Sequence, residues 1–280
     1  MDNSTLFEKY QEIEEELYPI KDFLEKNKEN DKYKMLYKGF ITIQSPLIYN
    51  PDILFIGINP GQGAFIENRN NKIEVSPIRL FDSKIKVDLD WYKDGNARGY
   101  SKNKVWYDFK WYETNQRINN RFVVNMIDVL YKVAKIKFPN DISENNKEPF
   151  WYKNFGQNIM FTNLYPIATK NTKDLNGIFT SFSKEPELFS HFGKSKSVKK
   201  WDVQRSFIRK IENLIELVEP KAIVCIGTQA FNDLTFTTTK KDEKVFKGKK
   251  RDFPVIGFNR SGNWSNLTSD IAKAIVDEMK

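Results

Sequence analysis

Asp52-Ile53-Leu54-Phe55-Ile56-Gly57-Ile58-Asn59-Pro60-Gly61-Gln62-Gly63 joins an apolar run too short for a helix to a cluster of turn formers. β-Branched and aromatic residues without polar alternation describe a strand covered on both faces, as in the middle of a parallel sheet. Pro60 fixes its own φ and turns Asn59 away from helix, while Gly57, Gly61 and Gly63 admit backbone conformations that a Cβ forbids. The stretch therefore predicts a buried strand that presents Asn59 at its carboxyl end, where open α/β sheets bind their ligands. For an isolated Asn-Pro-Gly an ordinary strand-to-turn junction is the commoner reading. The rest of the chain tips the balance.

Outward from this strand, the pattern repeats. Ile159-Met160-Phe161-Thr162 predicts a second strand, ending in Asn163-Leu164-Tyr165-Pro166. Ala222 to Ile226 predicts a third, followed by Gly227-Thr228 and a helix start, and Phe253 to Phe258 a fourth, opening into Asn259-Arg260-Ser261-Gly262-Asn263-Trp264-Ser265. Helical spacing joins Leu6, Phe7, Tyr10, Ile13 and Leu17, with Ser4 or Thr5 as the expected cap and Pro19 breaking the pattern. The same spacing recurs through Arg121, Phe122, Met126, Ile127, Leu130 and Val133, and through Phe207, Ile208, Ile211, Leu214, Ile215 and Val218 before Pro220. A final helix is expected over Leu267 to Met279. Strands alternating with helices predict an α/β fold: a parallel central sheet of about four strands with helices on both faces. The polar or glycine-rich segments after the strands then share one edge. One domain is expected over 1–280, with an N-terminal helical region over 1–50 and an insertion over 66–117.

Composition narrows the function. With 280 residues, 40% of them hydrophobic, the chain can bury a large core. The formal charge of +8 is segregated: residues 1–30 carry nine acidic and four basic side chains, 191–210 seven basic and one acidic, and 240–251 seven basic and two acidic. A polyanion partner on the C-terminal half is one explanation and a solvated lysine-rich surface the other. One cysteine, Cys225, excludes a disulfide framework, a cysteine zinc site and a four-cysteine iron–sulfur cluster within one chain, and its apolar run predicts a core position. His191, the one histidine, sits in the basic segment and is expected at the surface. Without a signal-peptide pattern or an apolar run of membrane-spanning length, a soluble cytoplasmic protein is expected, a monomer without metal or cofactor.

The insertion has its own character. Trp91, Tyr92, Tyr100, Trp106, Tyr107, Phe109, Trp111 and Tyr112 are interleaved with Lys84, Lys86, Lys93, Arg98, Lys102, Lys104, Lys110 and Arg117, with no sustained period. Aromatics beside cations can stack bases and track phosphates, or they can make a small local core.

Together these motifs resemble the uracil-DNA glycosylase superfamily, most closely its mismatch-specific uracil/thymine branch. Gly57-Ile58-Asn59-Pro60-Gly61 reproduces the first motif of that branch, Asn259-Arg260-Ser261-Gly262 is similar to its Asn-Pro-Ser-Gly second motif, and Asn120-Arg121-Phe122 is similar to the start of its following helix. The resemblance covers roughly 50–65 and 118–280. Arg260 stands where the second motif has proline, the insertion is longer than in that branch, and Asn163 resembles the base-reading asparagine of the uracil-specific branches.

The resemblance implies a monofunctional DNA glycosylase, which flips a modified or mismatched pyrimidine out of DNA and hydrolyses its N-glycosidic bond. It assigns catalysis to Asn59 and Asn259, contacts with the base to Gly57, Ile58, Gly61, Gln62, Phe65 and Asn163, and DNA contacts to Arg260, Ser261, Gly262, Asn263 and Trp264. Lys199, Lys200 and Arg205 are added from charge alone. Asn59 aligns with the aspartate of the fast uracil enzymes, and its amide orients water without acting as a strong base, so slower cleavage of uracil or a better leaving group is expected. The aromatic, basic insertion points to a pyrimidine larger than uracil, such as a hypermodified cytosine of phage DNA, and so to a defensive role beside ordinary repair. The competing class is a catalytically silent DNA- or nucleotide-binding α/β domain holding phosphate in its first loop, although Gly61-Gln62-Gly63-Ala64-Phe65-Ile66 completes no dinucleotide or phosphate-loop motif.

Overall fold

The structure is a computed structural model, and it describes residues 1–40, 42–43, 47–60, 66–68, 73–74, 121–140, 158–240, 242–260 and 264–279. In chain order these form α1 (Asn3–Glu15), α2 (Tyr18–Asn27), α3 (Asp31–Lys34), β1 (Gly39–Phe40), β2 (Ile53–Gly57), β3 (Ile66–Asn68), β4 (Ile73–Glu74) and α4 (Arg121–Lys137). There follow β5 (Ile159–Asn163), β6 (Ile167–Ala168), α5 (Thr172–Phe182), α6 (Lys200–Val218), β7 (Ile223–Cys225), α7 (Thr228–Thr235), β8 (Val245–Lys250), β9 (Phe253–Phe258) and α8 (Thr268–Glu278). Within the expected insertion only β3 and β4 are described, as an antiparallel pair; its other residues lie outside the described ones.

The main sheet has five strands in the order β5-β2-β7-β9-β8. β2, β7 and β9 run parallel, with Phe55 opposite Val224 and Val224 opposite Ile256. β8 is antiparallel to β9 along its whole length, from Val245 opposite Phe258 to Lys250 opposite Phe253. The sheet is therefore mixed, and the expectation of about four parallel strands is corrected by this fifth strand. The reason is local: β8 places Phe246 inward but Lys247 and Lys249 outward, so the segment reads in sequence as a basic run. Lysines on an edge strand also discourage pairing with another chain.

The chain divides into two compact units: 1–49, 59–103 and 162–218 in one, and 50–58, 104–161 and 219–280 in the other. In the second unit, Ile53, Phe55, Val224, Ile256 and Phe258 turn one sheet face toward Met126, Val129 and Val133 of α4 and Ile271 and Ile275 of α8. The intervening residues face the other way, where α7 covers β9. There Phe231 crosses Gly257 so closely that a Cβ would lie 2.6–2.7 Å from its side-chain atoms. Cys225 is buried, as its apolar run predicts.

In the first unit, α1 and α5 both pack against α6. Tyr165, Phe179 and Phe207 meet there with ring centroids 4.9–6.1 Å apart. Asp2, not Ser4 or Thr5, caps α1: its Oδ1 accepts from Thr5 N at 3.0 Å. Pro19 falls in the first turn of α2, where a missing N–H costs nothing.

Candidate functional site

Asn59 follows β2 by two residues and is half-buried. Its Nδ2 donates to Pro60 O at 3.0 Å, Ile167 O at 3.2 Å and Thr169 Oγ1 at 3.0 Å. Carbonyl oxygens only accept, and Thr169 gives its own hydroxyl proton to Asn171 O at 2.8 Å, so all three partners demand the nitrogen. That fixes the amide orientation, which is otherwise ambiguous for asparagine. Thr169 N also donates to Pro60 O at 3.2 Å, tying the loop after β2 to the segment after β6. Among the described residues nothing donates to Asn59 Oδ1, so its acceptor capacity is available to a ligand or water.

Asn163 closes β5 and is 2% exposed. It lines a cavity of about 20 Å³ together with Tyr10, Glu14, Thr42 and Lys210, room for one water and far too little for a pyrimidine. The polar groups around it are already paired. Tyr10 Oη donates to Glu14 Oε1 at 2.5 Å, Thr42 Oγ1 bonds the same carboxylate, and Thr162 Oγ1 donates to Thr42 O at 2.6 Å. Burial, reinforced by Glu14, holds the Tyr10 phenol well above its ordinary pKa, so it stays a donor. This cavity is not a base pocket.

In the second unit the parallel course of β2, β7 and β9 brings Gly57-Ile58, Gly227 and Asn259-Arg260 to one sheet edge. Gly227 takes φ +109° just before α7, and a Cβ there would lie 3.7 Å from Cβ of Arg260, so the two loops run side by side. Asn259 is half-buried and its N–H donates to Lys244 O at 2.9 Å, while Arg260 is exposed. Trp264 corrects the expectation made for it. It is 5% exposed and lies on Phe258, with ring centroids 4.7 Å apart and planes at 31°, inside the core beneath α4 and α8. An indole buries too much apolar surface there to serve as a wedge in DNA. Gly61, Gln62, Phe65, Ser261, Gly262 and Asn263 lie outside the described residues.

Lys199 and Arg205 are exposed and Lys200 half-buried, all at the start of α6. Asp202, the one acid among 191–210, accepts from Lys199 N at 2.8 Å and pairs with Lys194 at 3.3 Å; these bonds, the first above all, hold its carboxyl below the usual range. Further along the same segment, Lys210 pairs with Glu16. His191 is exposed, as expected.

Sequence reasoning did not reach Ile167, Thr169 or the Tyr10–Glu14–Thr42 cluster. No local signal marks residues that meet Asn59 from 108 and 110 positions away. Among the described residues, no group of three His, Cys, Asp or Glu is placed to hold a metal, and no helix is long and apolar enough to cross a membrane. In comparison with known proteins, no family model and no curated protein matches this chain.

Proposed function

We propose that this protein is a monofunctional DNA glycosylase that hydrolyses the N-glycosidic bond of a flipped pyrimidine and leaves an abasic site. The observation that carries the reading is the anchored amide of Asn59, with Nδ2 committed to three acceptors and Oδ1 left to accept. An amide oxygen held this way takes a hydrogen bond from water and aims the water's lone pair, without removing its proton as a carboxylate would. Hydrolysis of a glycosidic bond through an oxocarbenium-like sugar needs little more than a well-placed water, provided the departing base is stabilised as an anion. The resemblance of Gly57–Gly61 and Asn259–Gly262 to the mismatch-specific branch supports the same assignment, as do the polar loops that follow parallel strands. The weak basicity of an amide and the aromatic, basic composition of 66–117 favour a pyrimidine larger than uracil, with modified phage DNA as the natural source of such bases.

The test uses duplexes carrying uracil, thymine opposite guanine, or a cytosine with a sugar-bearing substituent, each scored for abasic sites by alkaline strand cleavage. The bulky cytosine should be excised fastest. Asn59→Ala should lower single-turnover excision about 10²-fold while leaving DNA binding nearly intact. Absence of abasic sites on every duplex would leave a silent DNA-binding domain, and efficient cleavage of uracil with none of bulky bases would return the protein to ordinary repair.

A further inference from the structure

We propose that the outer face of α6 binds single-stranded DNA, with the Trp201 indole stacking on an unpaired base and Arg205 and Arg209 holding the flanking phosphates. The inference deepens the proposed function and rests on it for the choice of DNA as the polyanion.

Three observations carry it. Trp201 is 45% exposed, whereas Trp264, the one other tryptophan among the described residues, is buried, and an indole in water forgoes a large favourable burial. Trp201, Arg205 and Arg209 follow one another at intervals of four residues and all are exposed, so they form one stripe along the helix, about 6 Å apart in rise. The opposite face of α6, with Val203, Phe207, Ile211, Leu214 and Val218, is buried, which fixes the stripe outward.

Charge complementarity then names the partner. Lys196 and Lys199 are exposed beside the stripe, and Asp202 is already taken up by Lys194 and the Lys199 amide. A duplex would satisfy the cations but hides the faces of its bases in the stack. A single strand offers phosphates and base faces together, which is what a basic surface carrying an aromatic platform recognises. A glycosylase acting on flipped bases, or on DNA opened during replication, meets such strands.

The experiment measures binding of the full-length protein to a labelled oligothymidine of about 12 nucleotides and to an unmodified blunt duplex. Trp201→Ala should weaken oligothymidine binding about tenfold and duplex binding far less, while Trp201→Phe keeps most of the affinity because its ring still stacks. Arg205→Gln combined with Arg209→Gln should reduce the slope of log affinity against log salt on oligothymidine by about 1.4, at roughly 0.7 per phosphate. Unchanged oligothymidine affinity in Trp201→Ala, or equal losses on both DNAs, would overturn the proposal. So would an unaltered salt slope in the arginine variant, which needs no change at the tryptophan. None of these readings depends on excision, so a failure of the glycosylase assignment, seen as missing abasic sites, is told apart from a failure here.

Discussion

Asn59 is defined by what its nitrogen does. Two carbonyls and a committed hydroxyl converge on Nδ2, and a carboxylate in the same place would set an oxygen against Pro60 O and Ile167 O. Asn59→Asp should therefore destabilise the protein by about 1–3 kcal/mol, the cost of opposed or unpaired buried acceptors, read from denaturant unfolding. The facing carbonyls raise the introduced carboxyl's pKa. Although the resemblance places aspartate here in the fast uracil enzymes, the excision rate of this variant should climb only as pH rises through the raised pKa. A pH–rate profile with the wild-type shape would show that Asn59 lies outside the chemistry. Trp264 makes the opposite point about a single residue: its position in a DNA-facing motif was less decisive than the apolar face of Phe258 beneath it.

At the scale of elements, two contacts set the limits of tolerance. Where α7 crosses β9, Phe231 occupies the space that a Cβ on Gly257 would need. Gly257→Ala should cost about 1–3 kcal/mol of stability through overpacking, with a matching fall in the denaturant midpoint, and Phe231→Leu in the same chain should recover part of it. The N-terminal helices are pinned differently, by phenols that donate to carboxylates: Tyr10 to Glu14 at 2.5 Å, Tyr33 to Glu185 at 3.1 Å and Tyr37 to Glu25 at 2.5 Å. Burial first and the neighbouring acids second raise all three pKa values, and burial with Glu14, Glu15 and Asp22 pushes Tyr18 up to about 12. The unfolded chain releases these protons near pH 10 while the folded one keeps them. Stability is therefore full below pH 10 and falls as pH rises from there toward 12 and beyond. Thermal unfolding followed from pH 8 to about 11 should show this loss, and Tyr37→Phe should make it shallower.

Across the whole molecule, charge is distributed by segment. Nine acids crowd residues 1–30, whereas residues 191–210 carry seven basic side chains and one acid, Asp202, which pairs with Lys194. DNA affinity should thus fall steeply with salt, and neutralising Lys199, Lys200 and Arg205 to glutamine should reduce the duplex slope by up to about 2.7, at roughly 0.9 per phosphate. The loss should be the same for every sequence tested, because phosphate contacts carry no base information. A slope equal to wild type would reduce these residues to solvating charges.

Much of this architecture was legible in the chain because its determinants are local. Ile53 to Gly57, Ile159 to Asn163, Ile223 to Cys225 and Phe253 to Phe258 announce themselves as short apolar runs ended by turn formers, and α4, α6 and α8 by helical spacing. α5 went unread although Leu175, Ile178, Phe179 and Phe182 carry the same spacing behind an Asn171 cap. Local pattern also placed Asn59 at a strand's end and Cys225 in the core. What it left open depends on partners distant in sequence. β8 looked like a basic run because an edge strand needs only one apolar face, and its pairing with β9 decides which residues that face contains. The fate of Trp264 was set by Phe258, α4 and α8 together, and the orientation of the Asn59 amide by Ile167 and Thr169. Hydrophobic period and turn chemistry act over a few residues, so the sequence by itself determined four of the five strands of the main sheet, most helices and the residues at their ends; which side chains are buried, anchored or left facing outward was decided by the tertiary packing that closes over them.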